Sequence, residues 1–234
     1  MTDDSTAGQP KTELAYFGDT YLTSITARVV SVEQKEGEKY TAVCLDRTVA
    51  YPAGGGQPSD TGRIVFGGGG GEVTFTVEDV KVTDGVVLHL GSFEPSPDEE
   101  GAAGDVLPSR FQPGAEVTVH VDAARRLLNA RIHSAGHLLD VAMGKLGFGS
   151  SVMVPAKGLH APDQAYVEYT GKVDGLDKDK LAADLRAEMN ALVLAGGRSA
   201  AGMMAYAEAE AACGGSLPPY ISPDSTPRVV VILE

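Results

Sequence analysis

The sharpest constraint on this chain is a change of texture at Asp122. Before it, short segments rich in β-branched residues alternate with turn residues. After it, residues 123–146 run on without a proline. Segments 22–33, 40–46, 62–66, 73–80, 86–90 and 116–121 read as strands, because they combine β-branched residues with partial period-two alternation. Residues 67–71 are five glycines between two strand patterns, which reads as a hairpin loop. Residues 94–109 are rich in Pro, Ser, Gly and acid and read as a flexible insertion. Six short strands with little helix predict a small β-barrel.

Beyond Asp122 the periodicity is helical. Asp122 is placed to cap a helix over 123–146, and Gly147 to end it. Residues 152–154 and 166–169 read as strands. Asp177 is placed to cap a second helix to about residue 194, with Leu181, Leu185, Met189, Leu192 and Val193 at helical spacing. A short third helix is expected over 204–212 and a strand over 228–233. The expected fold class is α+β: an N-terminal small β-barrel followed by an α/β two-layer domain, with helices packed on an antiparallel sheet. The expected division is a disordered lead over 1–12, the barrel over 13–121 and the α+β domain over 122–234.

At 234 residues, with 43% hydrophobic and 22% charged residues, the chain can bury a core. No apolar run approaches the roughly 20 residues of a membrane span, so no membrane partner is expected. The N-terminal residues are acidic and polar, without a signal-peptide core. Two cysteines, Cys44 and Cys213, make no disulfide framework, so a reducing, cytoplasmic setting is expected. A net charge of -13 argues against coating nucleic acid by charge alone. Arg125, Arg126 and Arg131, with Lys178 and Lys180 further on, read as solvated helix faces.

Two patterns carry chemistry. His133 and His137 stand four residues apart, one helical turn, a spacing at which two imidazoles can grip one metal ion. At about 100° per residue they project opposite a face made of Leu127, Leu128, Ala135, Leu138, Leu139, Ala142 and Leu146. Arg126, Asn129 and Asp140 share their side, with Asn129 and Asp140 as candidate supporting groups. An exposed polar face would show the same spacing. Ser134 stands where a zincin protease carries its general-base Glu, which excludes that class. Upstream, Gly54, Gly55, Gly56 and Gln57 lie in Tyr-Pro-Ala-Gly-Gly-Gly-Gln-Pro-Ser-Asp-Thr-Gly (51–62). Successive glycines permit φ > 0 and a close approach of backbone to ligand; a tight turn between barrel strands needs the same residues. No Gly-Lys-Ser/Thr follows, so this is not a P-loop.

Taken in order, the two motifs resemble those of the alanyl-tRNA editing family. Tyr-Pro-x-Gly-Gly-Gly-Gln-Pro-x-Asp-x-Gly (51–62) is similar to its glycine-rich motif, and Arg-x-His-Ser-Ala-x-His-Leu-Leu (131–139) to its first metal motif. The segment 158–169 looks like the strand-bearing part of free-standing members. The resemblance runs from about residue 13 to 234. It implies hydrolysis of tRNA(Ala) charged with the wrong amino acid, chiefly serine and also glycine, at a metal-assisted site. It implies zinc held by His133 and His137 together with a Cys and a His of a Cys-Gly-Gly-Thr-His motif, which this sequence does not contain. Cys213-Gly-Gly-Ser reads as a local coincidence, because the family motif follows a strand resembling 228–232. The sequence is therefore expected to be truncated before its third and fourth ligands, leaving the zinc site incomplete and weak. The resemblance also implies that Thr48 faces the substrate side chain, with Gln57 and Gly54, Gly55 and Gly56 at the rim near the tRNA end. The alternatives are a tRNA-binding or regulatory relative without hydrolysis, or a fragment of an alanyl-tRNA synthetase.

Overall fold

A computed structural model of the chain describes residues 8–34, 37, 39–68, 71–94, 111–149, 151–213, 215, 217 and 221–233. They form two compact units, one from residues up to 137 together with 153–171, the other from 138–152 together with 172 onward.

In chain order the first unit carries β1 (Glu13–Leu14), β2 (Ser24–Gln34), β3 (Thr41–Leu45), β4 (Arg47–Thr48), β5 (Gly62–Gly68), β6 (Gly71–Thr83), β7 (Val86–Phe93) and β8 (Glu116–Val121). Six of them close into an antiparallel barrel in the order β2-β3-β7-β6-β5-β8, as the six strand patterns predict. β8 shows why: Val117, Val119 and Val121 are buried while Glu116, Thr118 and His120 between them are not. Val43, Leu45, Ile64, Phe75, Val80 and Val87 fill the interior with them. Each such side chain contributes roughly 1.5–3 kcal/mol by leaving water. Thr12 is tied into one end of the barrel, its hydroxyl donating to the Leu45 carbonyl (3.1 Å) and accepting from the Val87 N–H (3.0 Å), so the polar lead ends short of it. The glycine run makes the expected hairpin, paired as far as Gly68 opposite Gly71. The expected insertion at 94–109 lies outside the described residues from 95 on.

One polar group is built into the barrel core. His89 is fully buried; its Nδ1–H donates to the Val43 carbonyl (2.9 Å) and its Nε2 accepts from the Thr48 hydroxyl (2.8 Å). Burial lowers its pKa from 6.5 to about 4, against the smaller opposing effect of the Val43 carbonyl.

α1 (Ala123–Lys145) follows the barrel. Asp122 caps it as expected, its Oδ1 accepting from the Arg125 N–H at 3.0 Å. In its first turns the helix docks the other way round from the sequence expectation, although Ala142 further along the apolar face is buried. Leu127 and Leu128 are 45% and 47% exposed, whereas Arg126 is 7% and Asn129 0% exposed. The Arg126 guanidinium is not a solvated surface charge. Its Nε donates to Asp60 Oδ1 (3.0 Å) and Oδ2 (2.9 Å), and its Nη1 to the Thr20 carbonyl (3.1 Å). Its Nη2 bonds Asp60 and the Val49 carbonyl. β9 (Val154–Leu159) and β10 (Tyr166–Thr170) complete this unit as an antiparallel pair, β9 starting later than the expected 152–154 strand.

The second unit contains α2 (Lys178–Ala195), β11 (Arg198–Met203), α3 (Tyr206–Ala212) and β12 (Arg228–Leu233). Asp177 caps α2 through its bond from the Lys180 N–H (2.9 Å), as its position predicts. β11 and β12 pair antiparallel. The strands beyond α1 therefore form two separate two-stranded ladders among the described residues.

Two predictions follow from this packing. Asp60→Ala leaves the Arg126 charge buried and unpaired, so it lowers unfolding free energy by about 3–5 kcal/mol, and Asp60→Ala with Arg126→Met recovers part of that loss; urea denaturation of both variants measures it. For His89, the folded ring takes its proton near pH 4 and the unfolded one near 6.5, so its contribution is complete above about 6.5 and is lost as pH falls towards 4. The full loss is about 3 kcal/mol. His89→Gln should flatten this part of the pH dependence in the same denaturation experiment.

Candidate functional site

The site is assembled from the glycine loop, α1 as far as His137 and the end of β9, all within the first unit. Asp60 holds the loop closed: its Oδ2 accepts from the Tyr51 N–H (2.7 Å) and its own N–H donates to the Tyr51 carbonyl (2.9 Å). Ser59 next to it donates to Asp79 Oδ1 (2.7 Å) on β6. Between these anchors, Gly54 and Gln57 exchange backbone bonds of 3.1 and 3.0 Å around Gly55 (φ 58°) and Gly56 (φ 81°). Left-handed backbone at both central residues is the type I′ turn, which glycine adopts without strain. The turn and close-approach readings are both met here. A Cβ on Gly55 would lie 3.5 Å from His133 Cε1, and one on Gly56 only 2.4 Å from the Gly158 carbonyl.

The turn delivers Gln57, which is buried, to α1. Gln57 Oε1 accepts from His133 Nδ1–H at 3.0 Å, across 76 residues of sequence. A neutral imidazole that donates through Nδ1 has its lone pair on Nε2. His133 is neutral: burial first, then the neighbouring His137 and His160, lower its pKa from 6.5 to about 4. Its ring stacks on His137 with centroids 4.9 Å apart, and on His160 at 4.5 Å. His137 is exposed and stands 6.4 Å from His160.

The structure thus brings His133, His137, Gln57, Gly55 and Gly56 together. It does not bring Thr48 to them. Thr48 is fully buried in the barrel, and its hydroxyl is committed twice, donating to His89 Nε2 and accepting from the Ala50 N–H (3.0 Å). The expectation that it faces a substrate is corrected on that ground. Asn129 is buried on the His133 side of α1, with neither amide atom hydrogen-bonded among the described residues. Asp140 and the exposed Cys213 belong to the second unit. His160 is the residue that sequence reasoning missed. It is a lone histidine beside β9, with no helical spacing to reveal it, and only tertiary contact places it here.

The donor chemistry fits a zinc-like ion. A neutral histidine with Nε2 available and Nδ1 oriented by an amide oxygen is the usual state of a metal-binding imidazole. Among the described residues no three His, Cys, Asp or Glu donors close around one point. What the structure shows is three imidazoles together, His133 stacked on both His137 and His160.

A family model described as tRNA synthetases class II (A) matches residues 4–107. The chain is 33% identical over 181 residues to the alanyl-tRNA editing protein AlaX-M of Methanosarcina barkeri, covering 76% of this chain and 65% of that protein. It is 33% identical over 134 residues to the alanyl-tRNA editing protein AlaX-L of Pyrococcus horikoshii, covering 57% and 28% respectively. It is 37% identical over 140 residues to an alanine–tRNA ligase of Halobacterium salinarum, covering 57% of this chain but only 15% of the ligase.

The glycine turn makes a sharp contrast testable. Gly56→Ala should destabilise the protein by about 2 kcal/mol or more, from left-handed backbone strain plus collision with the Gly158 carbonyl. Gly54→Ala meets nothing within 4 Å and has no positive φ, so its effect should stay within about 0.5 kcal/mol. Thermal melts of the two variants decide.

Proposed function

We propose, from its likeness to alanyl-tRNA editing proteins, that this chain is a member of that family and hydrolyses the ester of tRNA(Ala) charged with the wrong amino acid, with His133 and His137 holding a zinc ion. Ser-tRNA(Ala) is the principal substrate in this reading, and Gly-tRNA(Ala) a second. The observation that carries it is the Gln57–His133 hydrogen bond, which joins the two motifs into one site and leaves the lone pair of a neutral imidazole on Nε2.

When bound, the ion would polarise the ester carbonyl or an attacking water. The chain's own residues do the positioning. Gln57 fixes the tautomer and direction of His133, and burial keeps that ring unprotonated. The Gly55–Gly56 turn carries no side chains, so a ribose end can approach the backbone beside His133. In the reaction, water adds to the ester carbonyl and the bond from that carbon to the ribose oxygen breaks, leaving free amino acid and a ribose hydroxyl. An aminoacyl ester is already activated, so orientation and a polarised water are sufficient demands on the site. Recognition of the serine hydroxyl falls to a group other than Thr48, whose hydroxyl is already satisfied.

A second reading, a relative that binds tRNA without hydrolysing it, is favoured by the lack of three converging metal donors among the described residues. Deacylation of Ser-tRNA(Ala) separates the two. We expect turnover by the wild-type chain and roughly 100-fold slower turnover by His133→Ala, as when an essential transition-state group is removed. Turnover that survives His133→Ala would remove the proposed mechanism, and binding without turnover would support the second reading.

A further inference from the structure

His160 lies outside both sequence motifs, yet three separately folded segments make room for its ring. A Cβ on Gly56 in the turn would lie 3.1 Å from His160 Cδ2. One on Gly136 in α1 would lie 2.4 Å from Cε1, and one on Gly158 in β9 would lie 2.8 Å from Nε2. The last two are closer than side-chain carbons come to other atoms. The backbone is fixed as well, the His160 N–H donating to the Gly56 carbonyl at 2.8 Å. The ring is buried and nearly parallel to His133, at 16° and 4.5 Å between centroids.

We propose that His160 is a positioning residue of this site, which fixes the plane of the His133 imidazole by stacking on it from within the cage of Gly56, Gly136 and Gly158. The inference rests on the reading of His133 and His137 as metal ligands. The Gln57 bond sets where Nδ1 of His133 points but leaves the ring free to tilt about that bond. The stacked imidazole removes the tilt, so the direction of Nε2 is defined. Gly136 shows that the arrangement is costly to the helix. Glycine inside a helix is about 1 kcal/mol less favourable than alanine, and Gly136 stands one residue from His137.

The test is a cobalt(II) titration of the full chain, read by visible absorption, with melting of the metal-free protein alongside. His160→Ala is expected to weaken cobalt binding by roughly 10- to 100-fold, the usual effect of removing a group that orients a ligand. Gly136→Ala should do the same by pushing the imidazole off its place, and should also lower the melting temperature of the metal-free protein, because a methyl against the caged ring costs more than alanine gains in the helix. The double variant should bind no more weakly than His160→Ala alone, since the added methyl then meets no ring. Cobalt affinity and spectrum unchanged in both single variants, with binding lost in His133→Ala, would overturn the proposal and leave the ligand reading standing. Binding unchanged in His133→Ala would overturn the ligand reading and the proposal together.

Discussion

Asp60 and Arg126 stand 66 residues apart and form an ion pair that is almost wholly shielded from water. A charge so placed is stable only when its hydrogen-bonding groups are taken up. Here they are: Arg126 also reaches the Thr20 and Val49 carbonyls, and Asp60 also accepts from the Tyr51 N–H. One guanidinium therefore binds the approach to β2, the start of the glycine loop, its end and the first turn of α1. The orientation of the helix follows, because the face carrying Arg126 has to meet the barrel. Asn129 and His133 lie further along that face and are carried inward with it, which leaves Leu127 and Leu128 half exposed.

From that docking comes the chemistry. Once α1 is seated, His133 falls within reach of Gln57, and burial holds its ring neutral. The loop meets it with glycines, so backbone rather than side chain faces the imidazoles.

The barrel was legible because strand alternation is a local property: Val117, Val119 and Val121 on β8 face inward as period two requires. The caps at Asp122 and Asp177 were legible for the same reason, each being satisfied within its own first turn. The docking face of α1 was not. Counting apolar residues assigns the leucine stripe to the interior, but a buried ion pair with carbonyl partners outweighs that pattern, and those partners lie far away in the chain. Thr48 was misplaced for a related reason, since its hydroxyl is consumed by His89 from β7, a pairing that only barrel closure creates.

By itself, then, the sequence determined the six barrel strands, the capped starts of α1 and α2, the one-turn spacing of His133 and His137, and the glycines that allow a left-handed turn. Each of these depends on residues within a few positions of one another. Tertiary structure alone decided which face of α1 is buried, that Gln57 orients His133, and that His160 joins them while Thr48 does not. Whether a polar side chain is buried depends on whether a partner of the right geometry is waiting, and these partners come together only when the barrel closes and the helix docks.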